Sequence, residues 1–187
     1  MSETNVLVLV GSLRAGSHNR QLAEAAVAVA PEGVTLSIFE GLGDVPFYNE
    51  DIDVEGTVPA AAEKFRAAVA AADAVLIITP EHNGTIPAVL KNAIDWSSRP
   101  FGDSSISGKP VAAIGSAYGQ FGGVWAQDET RKAVGIAGAR VLSDITLSIP
   151  ESVIRFAEVH PKDDSEVVEK LAAVITALVG ELAAEAA

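Results

Sequence analysis

The sequence predicts an α/β fold built on a doubly wound parallel sheet, and three observations carry that expectation. Five short apolar, β-branched runs lack the alternation of a half-solvated strand, so each reads as buried on both faces. Alanine-rich stretches with helical spacing separate them, giving a βα unit repeated five times, and helical crossovers force neighbouring strands to run parallel. Aromatic residues are only 5% of a chain that is 49% hydrophobic and rich in alanine, valine and glycine, which suits close packing of helices on a sheet.

Residues 6–10 form the first expected strand, ending at Gly11, and a helix over 19–29 follows a loop dense in hydroxyls. A second strand over 34–39 leads into "GLGDVPFYNEDIDVEGT", a connection long for an αβ unit and so expected as a lid or a subunit contact. A helix over 59–72, a strand over 74–79 and a helix over 87–97 come next, Pro87 suiting a first helical turn. A fourth strand at 110–115, a helix at 123–137, a fifth strand at 145–149 and a final helix at 164–185 complete the pattern. The tail "ELAAEAA" reads as a fraying helix end. Five parallel strands with helices on both faces make a three-layer sandwich and fit the flavodoxin-like order 2-1-3-4-5. No repeat or long linker divides the chain, so 1–187 is expected to be one domain. In that order the ligand crevice lies at the carboxyl ends of strands one, three and four, which directs attention to loops 11–17, 80–86 and 116–123.

The formal net charge of -12, with no Lys/Arg cluster to offset it, opposes nucleic acid and anionic membranes as partners. The absence of cysteine removes thiol nucleophiles, Cys-ligated zinc and iron-sulfur clusters, so any redox chemistry must come from a bound cofactor. The polar start leads into an apolar run too short for a signal-peptide core, and no stretch approaches the ~20 apolar residues of a bilayer span. A cytoplasmic location is the expectation.

The first loop, "GSLRAGSHN", ends a strand and opens a helix, so main-chain N–H groups and the positive helix end converge on it. Gly11 and Gly16 permit a tight path, Ser12, Ser17 and Asn19 offer donors, and Arg14 adds a full charge. This is an anion cradle. Its glycines match P-loop spacing, but Ser17 stands where the P-loop lysine is required, which disfavours nucleotide hydrolysis. The dinucleotide pattern G-x-G-x-x-G is absent as well, although Glu40 could imitate its ribose-binding acid. A terminal phosphate monoester, as in FMN, fits best. A plainer reading makes Ser17 or Asn19 an N-cap and Arg14 a solvated side chain.

In the second loop Pro80 and Gly84 shape a turn that can set main-chain groups against the edge of a planar ring, and Asn83 is a candidate donor to a ring carbonyl. The third loop, "SAYGQFGG", has three glycines for close backbone approach, with Tyr118 and Phe121 as candidate walls. A flat heteroaromatic ring between loops two and three, with its phosphate in loop one, describes FMN.

Together "GSLRAGSHNR", "PEHNGTIPAVLKNAIDW" and "SAYGQFGG" resemble the three signatures of the NADPH-dependent FMN reductase family, which includes quinone, azo-dye and chromate reductases, and the similarity extends over nearly the whole chain. The resemblance implies Ser12, Arg14, Ser17 and Asn19 at the phosphate, with Arg20 either beside them or a plain helix residue. It implies Pro80, Glu81, His82, Asn83 and Gly84 along the ring edge, and Ser116, Tyr118 and Gly119 in the third loop. It further implies non-covalent FMN, NADPH or NADH as hydride donor, and ping-pong transfer to a small-molecule acceptor such as a quinone, flavin, azo compound or metal oxyanion. A homodimer or homotetramer is implied too. No side chain is then catalytic, because flavin N5 carries the chemistry. The chain departs from the family where His82 replaces a usual tyrosine, and where Ala117, Tyr118 and Gly119 replace Ser-Pro-Gly. The alternative is a flavodoxin-like electron carrier that binds FMN without oxidising NAD(P)H; the charge of -12 suits it, and Arg14 does not.

His82 is expected as a wall or interface residue, His18 as a helix-start residue and His160 at the surface, too scattered for a metal site. The acidic run 50–55 lacks the calcium-loop pattern, and Ser116 lies outside any G-x-S-x-G nucleophile elbow. Trp96 and Trp125 are expected to pack internally or to join Phe47 and Tyr48 in subunit contacts.

Overall fold

The computed structural model describes residues 3–185; Met1, Ser2 and the last two alanines of the "ELAAEAA" tail lie outside the described residues. Strands β1 (Thr4–Val10), β2 (Val34–Ile38), β3 (Ala74–Ile78) and β4 (Pro110–Ser116) alternate with helices α1 (His18–Ala28), α2 (Ala60–Ala71), α3 (Ala88–Ser97) and α4 (Val124–Ile136). Two short strands, β5 (Arg140–Val141) and β6 (Ser148–Ile149), precede the one-turn helix α5 (Ser152–Arg155) and the long α6 (Ser165–Glu185). The sheet runs β2-β1-β3-β4-β5, parallel throughout, as the sequence predicts.

The strands lack alternation because the sheet separates two cores. Val6, Val8, Val10, Leu76 and Ile78 pack with Leu22 of α1 and Leu171 and Ile175 of α6. Their neighbours Leu7, Leu9, Val75 and Ile77 pack with Phe65 of α2 and with Leu90 and Trp96 of α3. Each fully buried aliphatic side chain contributes about 1.5–3 kcal/mol, so β1 and β3 anchor the molecule and fix where their carboxyl ends emerge.

The fifth strand departs from the expectation of one run at 145–149. Arg140 and Val141 pair with Pro110 and Val111, and Ser148 and Ile149 pair with Gly115 and Ser116. Between those pairings β4 advances four residues, 111 to 115, while its partner advances seven, 141 to 148, so three residues bulge out around a turn at Ser143 and Asp144. Ile145 and Leu147 still enter the core, which is why this stretch has the composition of a strand without forming one. Arg131 of α4 covers the gap, its Nη2 donating to Ala113 O at 2.7 Å.

The long connection after β2 is strapped to the helices beneath it. Trp96 Nε1 donates to Pro46 O at 2.7 Å, while Asn92 Nδ2 donates to Val45 O and Pro46 O and its Oδ1 accepts the Tyr48 N–H at 2.8 Å. Arg66 adds a two-point bond to Asp53, both at 2.7 Å, and its guanidinium lies 4.9 Å from the centre of the Trp96 ring. Trp96 is wholly buried, which excludes it from any subunit contact, whereas Phe47 and Trp125 are exposed.

Candidate functional site

The carboxyl ends of β1, β3 and β4 lie side by side in the parallel sheet, Val10 beside Ile78 and Ile78 beside Ile114, and two glycines keep the space around Thr79 open. A Cβ on Gly11 would come within 3.1 Å of Thr79 Oγ1, and one on Gly115 would collide with Thr79 O. The loops that follow these strands therefore leave the sheet from adjacent points, and they enclose a cavity of about 460 Å³.

The first loop turns into α1 at Gly16, whose φ of 69° is left-handed. Ser17 is the N-cap: its Oγ accepts the Arg20 N–H at 3.4 Å, and the helical ladder starts with the Gln21 N–H on Ser17 O. The N–H groups of His18 and Asn19 precede that first bond and carry the positive end of the helix. Arg14 is exposed and paired with no described carboxylate. Arg20 is engaged elsewhere, bonded to Glu40 at 2.9 and 2.6 Å and to Glu24 at 3.0 Å. Glu40, the candidate ribose acid, is thereby neutralised, its carboxyl held below the usual range by Arg20. Of the two arginines, only Arg14 is left for an anion.

Asn19 has a different task from its neighbours. Its side chain is buried and makes a two-way pair with the main chain of Ser116, Nδ2 to O and Oδ1 from N, each at 2.9 Å. It fastens the start of α1 to the end of β4.

In the second loop, residues 82–85 form a two-residue hairpin: His82 N–H reaches Thr85 O at 3.2 Å and Thr85 N–H reaches His82 O at 3.1 Å. Asn83 and Gly84 both have positive φ, 53° and 73°, the Asn-Gly signature of a type I′ turn. Glu81 turns away to accept the Ala126 N–H at 3.2 Å, capping the first turn of α4, whose N-cap Gly123 has no side chain to do so. This bond couples the second loop to the third.

Ser116 ends β4 wholly buried, and its hydroxyl has no hydrogen-bond partner among the described residues. Beyond it, Tyr118 is 75% exposed at the cavity mouth. A fourth segment completes the wall: Glu151, itself at a φ of 52°, donates its N–H to Gly119 O at 3.4 Å, and the Ser152 N–H reaches Ala117 O at 3.0 Å. Ser152 and Val153 thereby line the cavity.

Of the expected residues, Ser12, Arg14, Ser17, Asn19, Pro80, Glu81, His82, Ser116 and Tyr118 line this one cavity. Asn83 and Gly84 sit at the exposed hairpin tip and Gly119 lies in the exposed third loop, outside the lining. The lining also includes His18, Leu13, Val89 and Val153, which sequence reasoning did not place there. His18 packs edge-on against Phe156, ring centres 5.8 Å apart. Burial, and then the charge of Arg14, push its imidazole below the ordinary histidine pKa.

Residues 4–153 match the model of the NADPH-dependent FMN reductase family. The chain belongs to that family. A quinone reductase of Pseudomonas putida is 46% identical over 130 residues, 70% of this chain and 69% of its own. A 2-hydroxy-1,4-benzoquinone reductase from Burkholderia is 42% identical over 154 residues, 82% of this chain and 79% of its own. Among solved structures, the flavoenzyme FerB of Paracoccus denitrificans, an NAD(P)H:(acceptor) oxidoreductase, superposes with a TM-score of 0.85 at 31% identity, covering 96% of this chain and 97% of FerB. Membership of the NADPH-dependent FMN reductases makes this chain an oxidoreductase and selects the enzyme over the electron carrier.

Proposed function

We propose that residues 1–187 form one FMN-binding domain that takes hydride from NADPH or NADH and delivers it, in ping-pong order, to a quinone or a related small acceptor such as a flavin, azo compound or metal oxyanion. The observation that carries the reading is a single cavity joining an anion cradle at Arg14 to the unpartnered, wholly buried hydroxyl of Ser116. FMN fits that donor set: a phosphate suits Arg14, Ser12 and the free N–H groups at the start of α1, and a polar ring edge suits Ser116 Oγ. When bound, FMN supplies the hydride-accepting ring; the protein positions it and needs no acid or base of its own. Pro80, Glu81 and His82 frame one side of the cavity and Ser116, Tyr118 and the Gly119 loop another, while Asn83 and Gly84 stiffen the rim through the hairpin. The exposed Tyr118 offers a face for a flat, apolar acceptor, and the quinone reductases among the relatives support that substrate class.

The same reading makes the enzyme a homodimer or homotetramer. A hollow of about 560 Å³ between α3 and α4 is lined by Lys91, Asp95, Glu129 and Lys132, with Phe101 and Ile136 91% and 81% exposed beside them. Charges of both signs around apolar side chains suit a self-complementary contact. A cytoplasmic location accords with the cysteine-free sequence. Among the described residues no helix is long and apolar enough to cross a membrane.

An anaerobic absorption spectrum with added FMN, recorded before and after NADPH and again after a benzoquinone, tests the function. The expected result is a visible band that bleaches with NADPH and returns with quinone. A protein that binds FMN but leaves it oxidised in NADPH, or that binds no FMN, overturns the reading.

A further inference from the structure

We propose that His18 is a second cationic contact for the cofactor phosphate, engaged as pH falls, so that phosphate affinity in this protein is set by a proton as well as by Arg14. The inference rests on the FMN reading above and extends it to a residue the sequence places only at a helix start. His18 is the first residue of α1, is half-buried, and lines the cavity together with Ser12, Arg14 and Ser17. Its ring lies edge-on to Phe156, and neither ring nitrogen has a hydrogen-bond partner among the described residues. His160, by contrast, is committed: its Nδ1 accepts the Lys162 N–H at 3.1 Å and its Nε2 lies 3.3 Å from Glu24.

The charges around His18 decide the sign. Arg14 is the charged side chain that acts on it, and no carboxylate contributes. Across the cavity Glu81 is bonded to the Ala126 N–H, and His82 and Tyr118 share the lining. On α1 itself Arg20 is paired with Glu24 and Glu40; behind Phe156, Arg155 is paired with Asp164 and Glu166; and the turn Pro161–Asp163, packed on α1, holds Lys162 and Asp163 beside the committed His160. Burial, Arg14 and the helix end therefore all oppose a proton on His18 while the cradle holds no anion. A phosphate monoester brings about -1.5 to -2 charges to the same place and reverses that balance.

Proton and phosphate then favour each other. Above the bound-state pKa the imidazole is neutral and adds nothing; as pH falls through that value its contribution grows, and it is complete below the lower pKa of the cofactor-free protein. Each unit by which binding raises the pKa corresponds to about tenfold in affinity. The phosphate takes up its own second proton near pH 6, which weakens binding in both proteins.

The test compares FMN dissociation constants, by fluorescence quenching, for wild type and His18→Phe from about pH 8 to about pH 5.5, with riboflavin as the phosphate-free control. Phenylalanine keeps an aromatic edge against Phe156 and removes the proton. Similar affinities at the alkaline end and a wild-type advantage growing to about tenfold at the acid end, for FMN but not riboflavin, support the proposal. A ratio independent of pH, or the same growth with riboflavin, overturns it. NMR titration of the His18 imidazole in wild type, with and without FMN, keeps the proposal testable even if the variant misfolds: the midpoint rises on binding, and an unmoved midpoint overturns the role of His18 while leaving the cofactor reading intact. Failure of wild type to bind FMN at any pH overturns both.

Discussion

Asn19 and Ser116, 97 residues apart, are joined by two hydrogen bonds of 2.9 Å in a wholly buried setting. The start of α1 is thus fixed to the end of β4, and the spacing between the two halves of the cavity depends on that pair. Asn19→Ala strands a buried N–H and a buried C=O, each costing about 1–3 kcal/mol. The variant is expected to lose about 2–4 kcal/mol in urea denaturation and to bind FMN more weakly. A midpoint matching wild type would show that the pair is not holding the halves together.

Arg14 and Arg20 differ in their partners as well as by six positions. Arg14 is exposed and has no carboxylate partner among the described residues, whereas Arg20 is held by Glu24 and Glu40. Arg14→Ala is expected to weaken FMN binding by about tenfold to a hundredfold, the range of a charged hydrogen bond, with riboflavin binding and stability unchanged. Arg20→Ala is expected to leave FMN affinity near wild type. Equal losses in the two variants would assign the phosphate to both arginines.

The parallel strands were legible in the sequence because two-sided burial leaves uninterrupted apolar runs, as in Ala74–Ile78, and their order followed from the fit of five βα units to the flavodoxin-like arrangement. The split of strand five was not, because Ile145 and Leu147 are buried whether or not their main chain pairs with β4. The Asn83-Gly84 dipeptide did carry the signal of a type I′ hairpin, and a reading centred on Pro80 and Gly84 passed over it. His18, Ser152 and Val153 gave no such local sign. The first faces the cavity through the phase of α1, and the others reach it only because β6 ends beside Ser116.

The strap over α2 and α3 gives the fold an acid-sensitive fastening. Arg66, above all by hydrogen bonding, holds the Asp53 carboxyl below the usual carboxylate range. A group depressed in the folded state stabilises above its unfolded pKa, about 4, and loses that contribution as pH falls through the lower folded value. Asp53→Asn is expected to cost about 2 kcal/mol near neutrality, between the exposed and fully buried limits for an ion pair. Its unfolding midpoint in urea should converge on that of wild type as pH drops from about 5 toward 3. A constant difference across that window would remove Asp53 as the titrating partner.

Ser116 offers a test in which stability and binding move in opposite directions. Its hydroxyl is wholly buried and has no hydrogen-bond partner among the described residues, so no bond to the fold itself offsets its burial. Ser116→Ala removes the cost of that burial together with the hydroxyl, and leaves the main-chain pair with Asn19 in place. Without FMN the variant is expected to be as stable as wild type or more stable by about 1 kcal/mol, while its FMN affinity falls by about tenfold, the range of a neutral hydrogen bond. A side chain serving the fold would give the opposite sign in the first measurement, since its loss would destabilise the free protein. A variant that is destabilised without FMN, or that binds FMN as tightly as wild type, would show that the hydroxyl is not kept for the cofactor.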